Sequence, residues 1–438
     1  MRFSINRSYF ADKLATVAHA IPSVSPTIAL TGVLIQVFPD YIVLTGSDSN
    51  LAIQVVISPD EKNQLVIEER GSIIIRCSAL IELTRRMNGD ILHVESIDDT
   101  LIRFNGPSDS KFELFGRAPS EYPDPNLTQP AKHLTLPIHA LQDISRQVAF
   151  AAATNSPRVY LNGVNLRIND HKLIATATNT LAMARKIVPV QTDASAQANI
   201  PVKAISLVAS LFGSEGECDV YLDRQRIQFV KDDLLLQTTL YDGVFPDCDR
   251  ILQTHPTTHM ILDTNEFEGM MSRSIIYTGA QTSDSSVIPV RMTYTPDQTF
   301  VEVLSSTLGS CRQNIEKMEM DGESGNIAFN ASLMINGLRA IKDHEKFNLG
   351  LSGELKPLYI TLPDDPSSNC SLSPCAATSS VSCFLHFSYD DLFLSIQKTS
   401  RCCMLQSTGS FFFTGKSKAS AKPNVIRSHA DLEGAQKA

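Results

Sequence analysis

The sequence predicts an α+β chain of three tandem similar domains, each with two helices and an antiparallel sheet. Three observations predict it. A strand–turn–strand segment returns twice: "LTGVLIQVFPDYIVLTGSD" at 30–48, "LNGVNLRINDHKLIATATN" at 161–179 and "PVRMTYTPDQTFVEVLSST" at 289–307. The turn aspartates Asp40, Asp170 and Asp297 are spaced by 130 and 127 residues. With 438 residues, 43% of them hydrophobic, the chain can bury several cores of that size.

Each repeat opens with a short strand and a helix, at 2–21, 133–153 and 259–279. In the second, Leu141, Ile144 and Val148 recur at helical spacing, and Pro137 sits where a helix start tolerates it. In the third, Asp263 or Thr264 is placed to cap the helix. The recurring hairpin follows, then a second helix at 77–89, 201–214 and 330–344. Gly89 and Gly213 are expected stops. Alternating strands close each unit, as in "DILHVESID", "CDVYLDRQRIQFV" and "KFNLGLSG". Pro-rich polar linkers at 117–133 and 252–259 place the boundaries. The expected domains are 1–126, 127–255 and 256–368, followed by a tail at 369–438.

The net charge of −9 argues against a generally basic coat, while leaving room for a local basic surface. Asp12 and Lys13 interrupt any signal-peptide core. No apolar run of ~18 residues predicts a membrane span. A cytoplasmic chain with free thiols is expected. No GxSxG, HExxH or CxxC motif occurs, so neither an enzyme, a cofactor nor a metal is expected. The segment "GSFFFTGKS" at 409–417 imitates a phosphate loop, but five residues separate its glycines and three are phenylalanines. Repetition on this scale favours a ring or an array over a single-site enzyme.

Basic residues recur on the expected helices: Arg7, Lys13, Arg85, Arg86, Arg146, Lys203, Arg273, Arg339 and Lys342. Solvated helix faces would account for them. Alternatively, all six helices turn one face to a common axis and form a positive inner surface. Such a surface suits contact with phosphates regardless of sequence.

Four segments carry a family resemblance: "PTIALTGVLIQV" with "LTGSDSNLAI" (26–53), "FELFGRAPSEYPD" (112–124), "RVYLNGVNL" (158–166) and "YDGVFPDCDRIL" (241–252). In order and spacing they resemble the bacterial DNA polymerase III beta subunit, the replication sliding clamp, from Met1 to about Asp365. The resemblance implies the DNA clamp fold, a head-to-tail homodimer closing a ring around double-stranded DNA, and no catalysis. It implies partners as well: the replicative DNA polymerase and the clamp loader, bound through short peptides. Carried over by position, the peptide cleft comprises Leu161, Thr176, Leu181, Pro246, Arg250, Ile251 and Pro357. Arg158 and Tyr160 match a DNA-contacting loop. Ring closure falls on Phe112 and Leu114 of the first domain against Ile275 and Ile276 of the third. Two segments depart from the family. "TATNTLA" (176–182) stands near the usual "TDxHRLA", and "IAL" (28–30) stands for "PIL". The alternatives are a degenerate clamp paralogue acting as a scaffold, and a β-rich enzyme acting on a nucleotide or sugar.

The tail differs from the rest. Five of nine cysteines, Cys370, Cys375, Cys383, Cys402 and Cys403, fall within it, and 15 of the 73 residues from Pro366 are Ser. The family ends in an apolar strand close to Leu-Pro-Val-Arg. Codons for 373–376, followed by the first base of the next codon, can be TCT-CCC-TGT-GCG-G, and one base later these read Leu-Pro-Val-Arg. A shifted reading frame from about residue 369 is therefore expected, with the last strand lost or badly replaced and the third domain incomplete.

Overall fold

The computed structural model describes residues 1–372 apart from 99, 107–109, 193–194, 250–254, 279–287 and 364–367. The tail beyond 372, with its four remaining cysteines and the 409–417 segment, lies outside the described residues.

The first repeat runs β1 (Arg2–Asn6), α1 (Arg7–Ala18), β2 (Gly32–Val37), β3 (Ile42–Ser47), β4 (Leu51–Ile57), β5 (Val66–Glu69), β6 (Gly71–Arg76), α2 (Cys77–Arg86), β7 (Ile91–Ser96), β8 (Leu101–Asn105) and β9 (Lys111–Arg117). The second runs β10 (Lys132–Pro137), α3 (Ile138–Gln147), β11 (Gly163–Asn169), β12 (Lys172–Thr178), β13 (Ala182–Pro189), β14 (Ala196–Pro201), α4 (Val202–Leu211), β15 (Glu217–Leu222), β16 (Arg226–Lys231) and β17 (Leu234–Thr239). The third runs β18 (Thr258–Asp263), α5 (Thr264–Ser274), β19 (Val290–Tyr294), β20 (Thr299–Ser305), β21 (Gly309–Ile315), β22 (Met318–Asp321), β23 (Gly325–Phe329), α6 (Ala331–Ala340), β24 (Lys346–Leu351), β25 (Leu358–Thr361) and β26 (Ser368–Leu372).

Local chemistry sets the helix ends. Asn6, Asp263 and Asn330 each accept a hydrogen bond from a backbone N–H of the first turn that follows, which satisfies an otherwise orphaned donor. The second helices end earlier than expected, at Arg86, Leu211 and Ala340. Gly213 turns to φ +79° just past α4, a backbone conformation that glycine adopts cheaply. Lys231 Nζ then donates to the free carbonyls of Phe212 and Glu215, at 2.9 and 2.8 Å.

Strands of the first two repeats merge into a thirteen-stranded sheet, and strands of the second and third into a nine-stranded one. Two seams do the merging. β4 lies antiparallel to β17, from Leu51 opposite Thr238 to Val55 opposite Leu234. β13 lies antiparallel to β26, from Ala182 opposite Leu372 to Lys186 opposite Ser368. In both, the third strand after the first helix of one repeat pairs with the closing strand of the next.

The expected loss of the last strand is corrected here. Ser368–Leu372 forms β26, paired with β25 on one side and β13 on the other. Its period-two pattern explains why a Ser-rich segment can serve. Cys370 and Leu372 are buried in the third repeat's core with Met334, Leu338 and Leu358, and both flanking strands supply ladder partners. A larger core spans the first two repeats, and includes Phe3, Phe10, Phe104, Leu141 and Phe229.

Candidate functional site

The six helices hold eight basic and five acidic side chains, so they are net positive in a chain of net charge −9. Most of the basic residues are tied to neighbours. Arg7 serves the fold itself. Its Nε and Nη1 donate to the carbonyls of Gly89 and Thr84, at 2.8 and 3.1 Å, and so hold the C-terminal end of α2. Lys13 pairs with Asp233, and Arg86 with Glu82 at 2.6 Å. Arg146 joins Asp143 to Asp343 and so links α3 to the segment after α6. Lys203 reaches Asp48 at 3.5 Å, Arg339 reaches Glu268 at 2.8 Å, and Arg273 Nε donates to Gln313 at 2.7 Å. Arg85 and Lys342 are exposed at the ends of their helical segments. Arg158 is half-buried. These exposed pairs are individually worth little, and salt screens them.

Sequence placed a cleft on seven residues, and of these the structure sets Leu161 in an apolar cluster. Leu161 is buried in a small apolar cluster with Met183, Phe245 and Cys248, against which Tyr160 and Ala153 pack. Tyr160, assigned by resemblance to a DNA-contacting loop, thus lies against this apolar cluster. Its ring sits 2.5 Å from where a Cβ on Gly243 would be, and Gly243 has φ +119°. Thr176 is buried on β12, opposite Arg185 of β13. Leu181 stands 58% exposed at the β12–β13 turn, where Thr180 takes a positive φ of 76°. Pro246 and Pro357 are half-buried, while Arg250 and Ile251 lie outside the described residues.

The loop carrying Phe245 is pinned from below. Asn199 Nδ2 donates to the carbonyls of Tyr241 and Gly243, and its Oδ1 accepts from Asn165. Burial pushes the Cys248 thiol up to about 12, with Asp247 and Asp249 adding to it, so Cys248 stays protonated and unreactive.

Among the open strand edges of the described residues are those of β9 and β21. β9 pairs with β6 only at Gly116 and Arg117, which leaves Lys111–Phe115 without a neighbour on that side among the described residues. β21 is one of the two terminal strands of its four-stranded sheet. Phe112 on β9 and Ile276 in the 3-10 turn Ile275–Thr278 after α5 are exposed, while Leu114 and Ile275 pack partly onto their own cores. Phe115, missed in the sequence, is 85% exposed on the same strand.

Residues 1–128 match the family model of the DNA polymerase III beta subunit N-terminal domain, and residues 135–247 match that of its central domain. Together these span more than half of the chain. The chain belongs to the DNA polymerase III beta subunit family. It is 25% identical over 374 residues to the beta sliding clamp of Bacillus subtilis, across 83% of this chain and 97% of that one. To the beta sliding clamp of Halalkalibacterium halodurans it is 26% identical over 383 residues, across 85% and 99%. The crystal structure of the beta subunit from DNA polymerase of Streptococcus pyogenes superimposes with a TM-score of 0.80 at 24% identity, covering 86% of this chain and all of that one. The clamp fold is thereby shown.

Within this beta-subunit chain, several site-forming residues carry no local signal in the sequence. Met183 of β13 and the loop pair Phe245 and Cys248 are drawn to Leu161 from two other segments. Asp249 binds Arg167 and Arg185 across 82 and 64 residues. Only the "DGVFPD" match pointed to that loop. No helix among the described residues is long and apolar enough to cross a membrane.

Proposed function

We propose that this chain is a DNA sliding clamp that encircles duplex DNA and tethers the replicative polymerase for processive synthesis. One observation carries the reading. The seam that joins repeat one to repeat two recurs between repeats two and three, and its two halves are left open on β21 and β9. A second copy of the chain, set head to tail, satisfies both edges twice and closes a ring of six repeats. Each seam continues a sheet from one repeat to the next, so an exposed ladder finds a partner.

The domains are then 1–126, 127–255 and 256–372, the last extended to include β26. Held by topology, the ring needs only loose contact with phosphates. The modest positive charge of the helices suits that role, because strong attraction would oppose sliding. Arg85, Arg86, Lys203, Arg273, Arg339 and Lys342 are the exposed candidates for such contact. No catalytic step is assigned to the chain. The clamp works in the cytoplasm, and polymerase and clamp loader dock through short peptides with apolar anchors on the cluster of Leu161, Met183 and Phe245.

Retention on DNA tests the reading. The chain, loaded on nicked circular DNA, is expected to survive a high-salt wash and to leave once the circle is linearised. Equal loss from circles and linear molecules would overturn it. Arg85→Glu with Arg339→Glu is expected to lower loading and flatten its salt dependence.

A further inference from the structure

A charge cluster borders the apolar cluster of Leu161, Met183, Phe245 and Cys248. On β11 and β13, register places Arg167 and Arg185 on the sheet face that also carries Thr176 and Met183. Asp249 Oδ2 accepts from Arg167 Nη2 at 2.9 Å, and its Oδ1 accepts from Arg185 Nη1 at 3.1 Å. Two guanidiniums therefore share one carboxylate, and one positive charge is left over. Each guanidinium has five N–H donors, so most remain unused. Arg185 Nε is buried with no hydrogen-bond partner, a costly state for a charged group. Arg167 keeps 42% of its side chain exposed. The adjacent Cys248 belongs to the apolar cluster, so Asp249 holds the cations beside that cluster.

The fold does not require cations here. Strands β2 and β11 open at the corresponding glycines Gly32 and Gly163, which sets Gln36 in the place of Arg167. The Thr45–Gln54 pair of the first repeat likewise corresponds to Thr176–Arg185 of the second. There Gln54 simply donates to Thr45 Oγ1 at 3.1 Å. Neutral side chains serve the same backbone positions in one repeat and charged ones in the other.

We propose that the peptide docking on this cluster places an acidic side chain, Asp or Glu, on Arg167 and Arg185, beside its apolar anchors. This rests on the peptide-docking reading above. Asp249 holds the two guanidiniums in position before the peptide arrives, so less ordering remains at binding. The incoming carboxylate accepts from their unused N–H groups in a charge-assisted contact.

The test uses the full chain and two labelled seven-residue peptides. Both carry Leu and Phe anchors, and they differ only in a central Asp or Asn. By fluorescence anisotropy, the Asp peptide is expected to bind about tenfold more tightly, as a hydrogen-bonded charge contact should give. Arg167→Gln should erase most of that difference. Equal affinities for the two peptides, with both still lost on Leu161→Asp, would overturn the acidic contact and leave peptide docking intact. Failure of both peptides to bind the unaltered chain would remove the docking reading and the acidic contact with it.

Discussion

Asn199 Nδ2 donates to the carbonyl oxygen of Gly243 at 2.9 Å. The same amide reaches the Tyr241 carbonyl at 3.2 Å, and its oxygen accepts from Asn165 at 2.8 Å. Both asparagines are buried. One side chain thus fastens the loop that lays Phe245 on Leu161 and Met183.

Asn199→Ala removes that fastening and strands buried polar groups. The expected cost is about 1–3 kcal/mol, read as a lower urea midpoint. Binding of an apolar-anchored peptide should weaken in parallel. A wild-type midpoint and unchanged peptide affinity would show that the loop is held elsewhere.

The two internal seams predict the register of the third. Leu51 opens β4 opposite Thr238, and Ala182 opens β13 opposite Leu372. Thr238 and Leu372 occupy the place of Leu114, each facing the corresponding apolar residue of the preceding strand. Gly309, which opens β21, should then face Leu114 of a second copy, and Cys311 should face Phe112. Phe112→Cys is expected to cross-link to the native Cys311 with a short bismaleimide, giving a band of doubled mass. Cys311→Ser should abolish the band, and its persistence would refute this register.

Leu372 is 1% exposed in the third repeat's core. Leu372→Ala should destabilise that repeat by about 2–5 kcal/mol, the usual range for a buried leucine. Limited proteolysis should cut the third repeat first. No change in stability would mean that β26 does not close this sheet.

Burial raises the thiols of Cys77 to about 11 and of Cys218, Cys248 and Cys370 to about 12, from an ordinary 9.0. The neutral thiol is the favoured buried form, so its contribution to stability is fully present below pH 9 and is lost as pH rises towards 11–12. At pH 8, iodoacetamide should label Cys311 well before these four, as peptide mass mapping would report. Prompt labelling of Cys248 would contradict its burial.

The reading frame of the tail is decided by the coding DNA. A frame one base later should encode Leu-Pro-Val-Arg across codons 373–376. Any other sequence there makes the tail native to this chain.

Local signals made the repeats legible. The Asp263 cap, the alternating strands and the recurring turns each act within a few residues, so their spacing survives in the sequence. What escaped depends on distance along the chain. Arg7 resembles other basic helix residues, yet it closes a helix some 80 residues away. Tyr160 gives no hint that Gly243 leaves room for its ring. In β26 the serines mask the alternation of Cys370 and Leu372, because neighbouring strands decide the pairing more than propensity does.

The seams also differ in how mass action reaches them. Peptide linkers join β4 to β17 and β13 to β26, so their partners meet at an effective concentration on the order of millimolar, whatever the protein level. In the proposed two-chain ring the first β9–β21 contact has no such tether and follows the concentration of free chains, whereas the second closes within the pair already joined. Dilution should therefore open such a ring at its β9–β21 contacts and leave both internal seams intact.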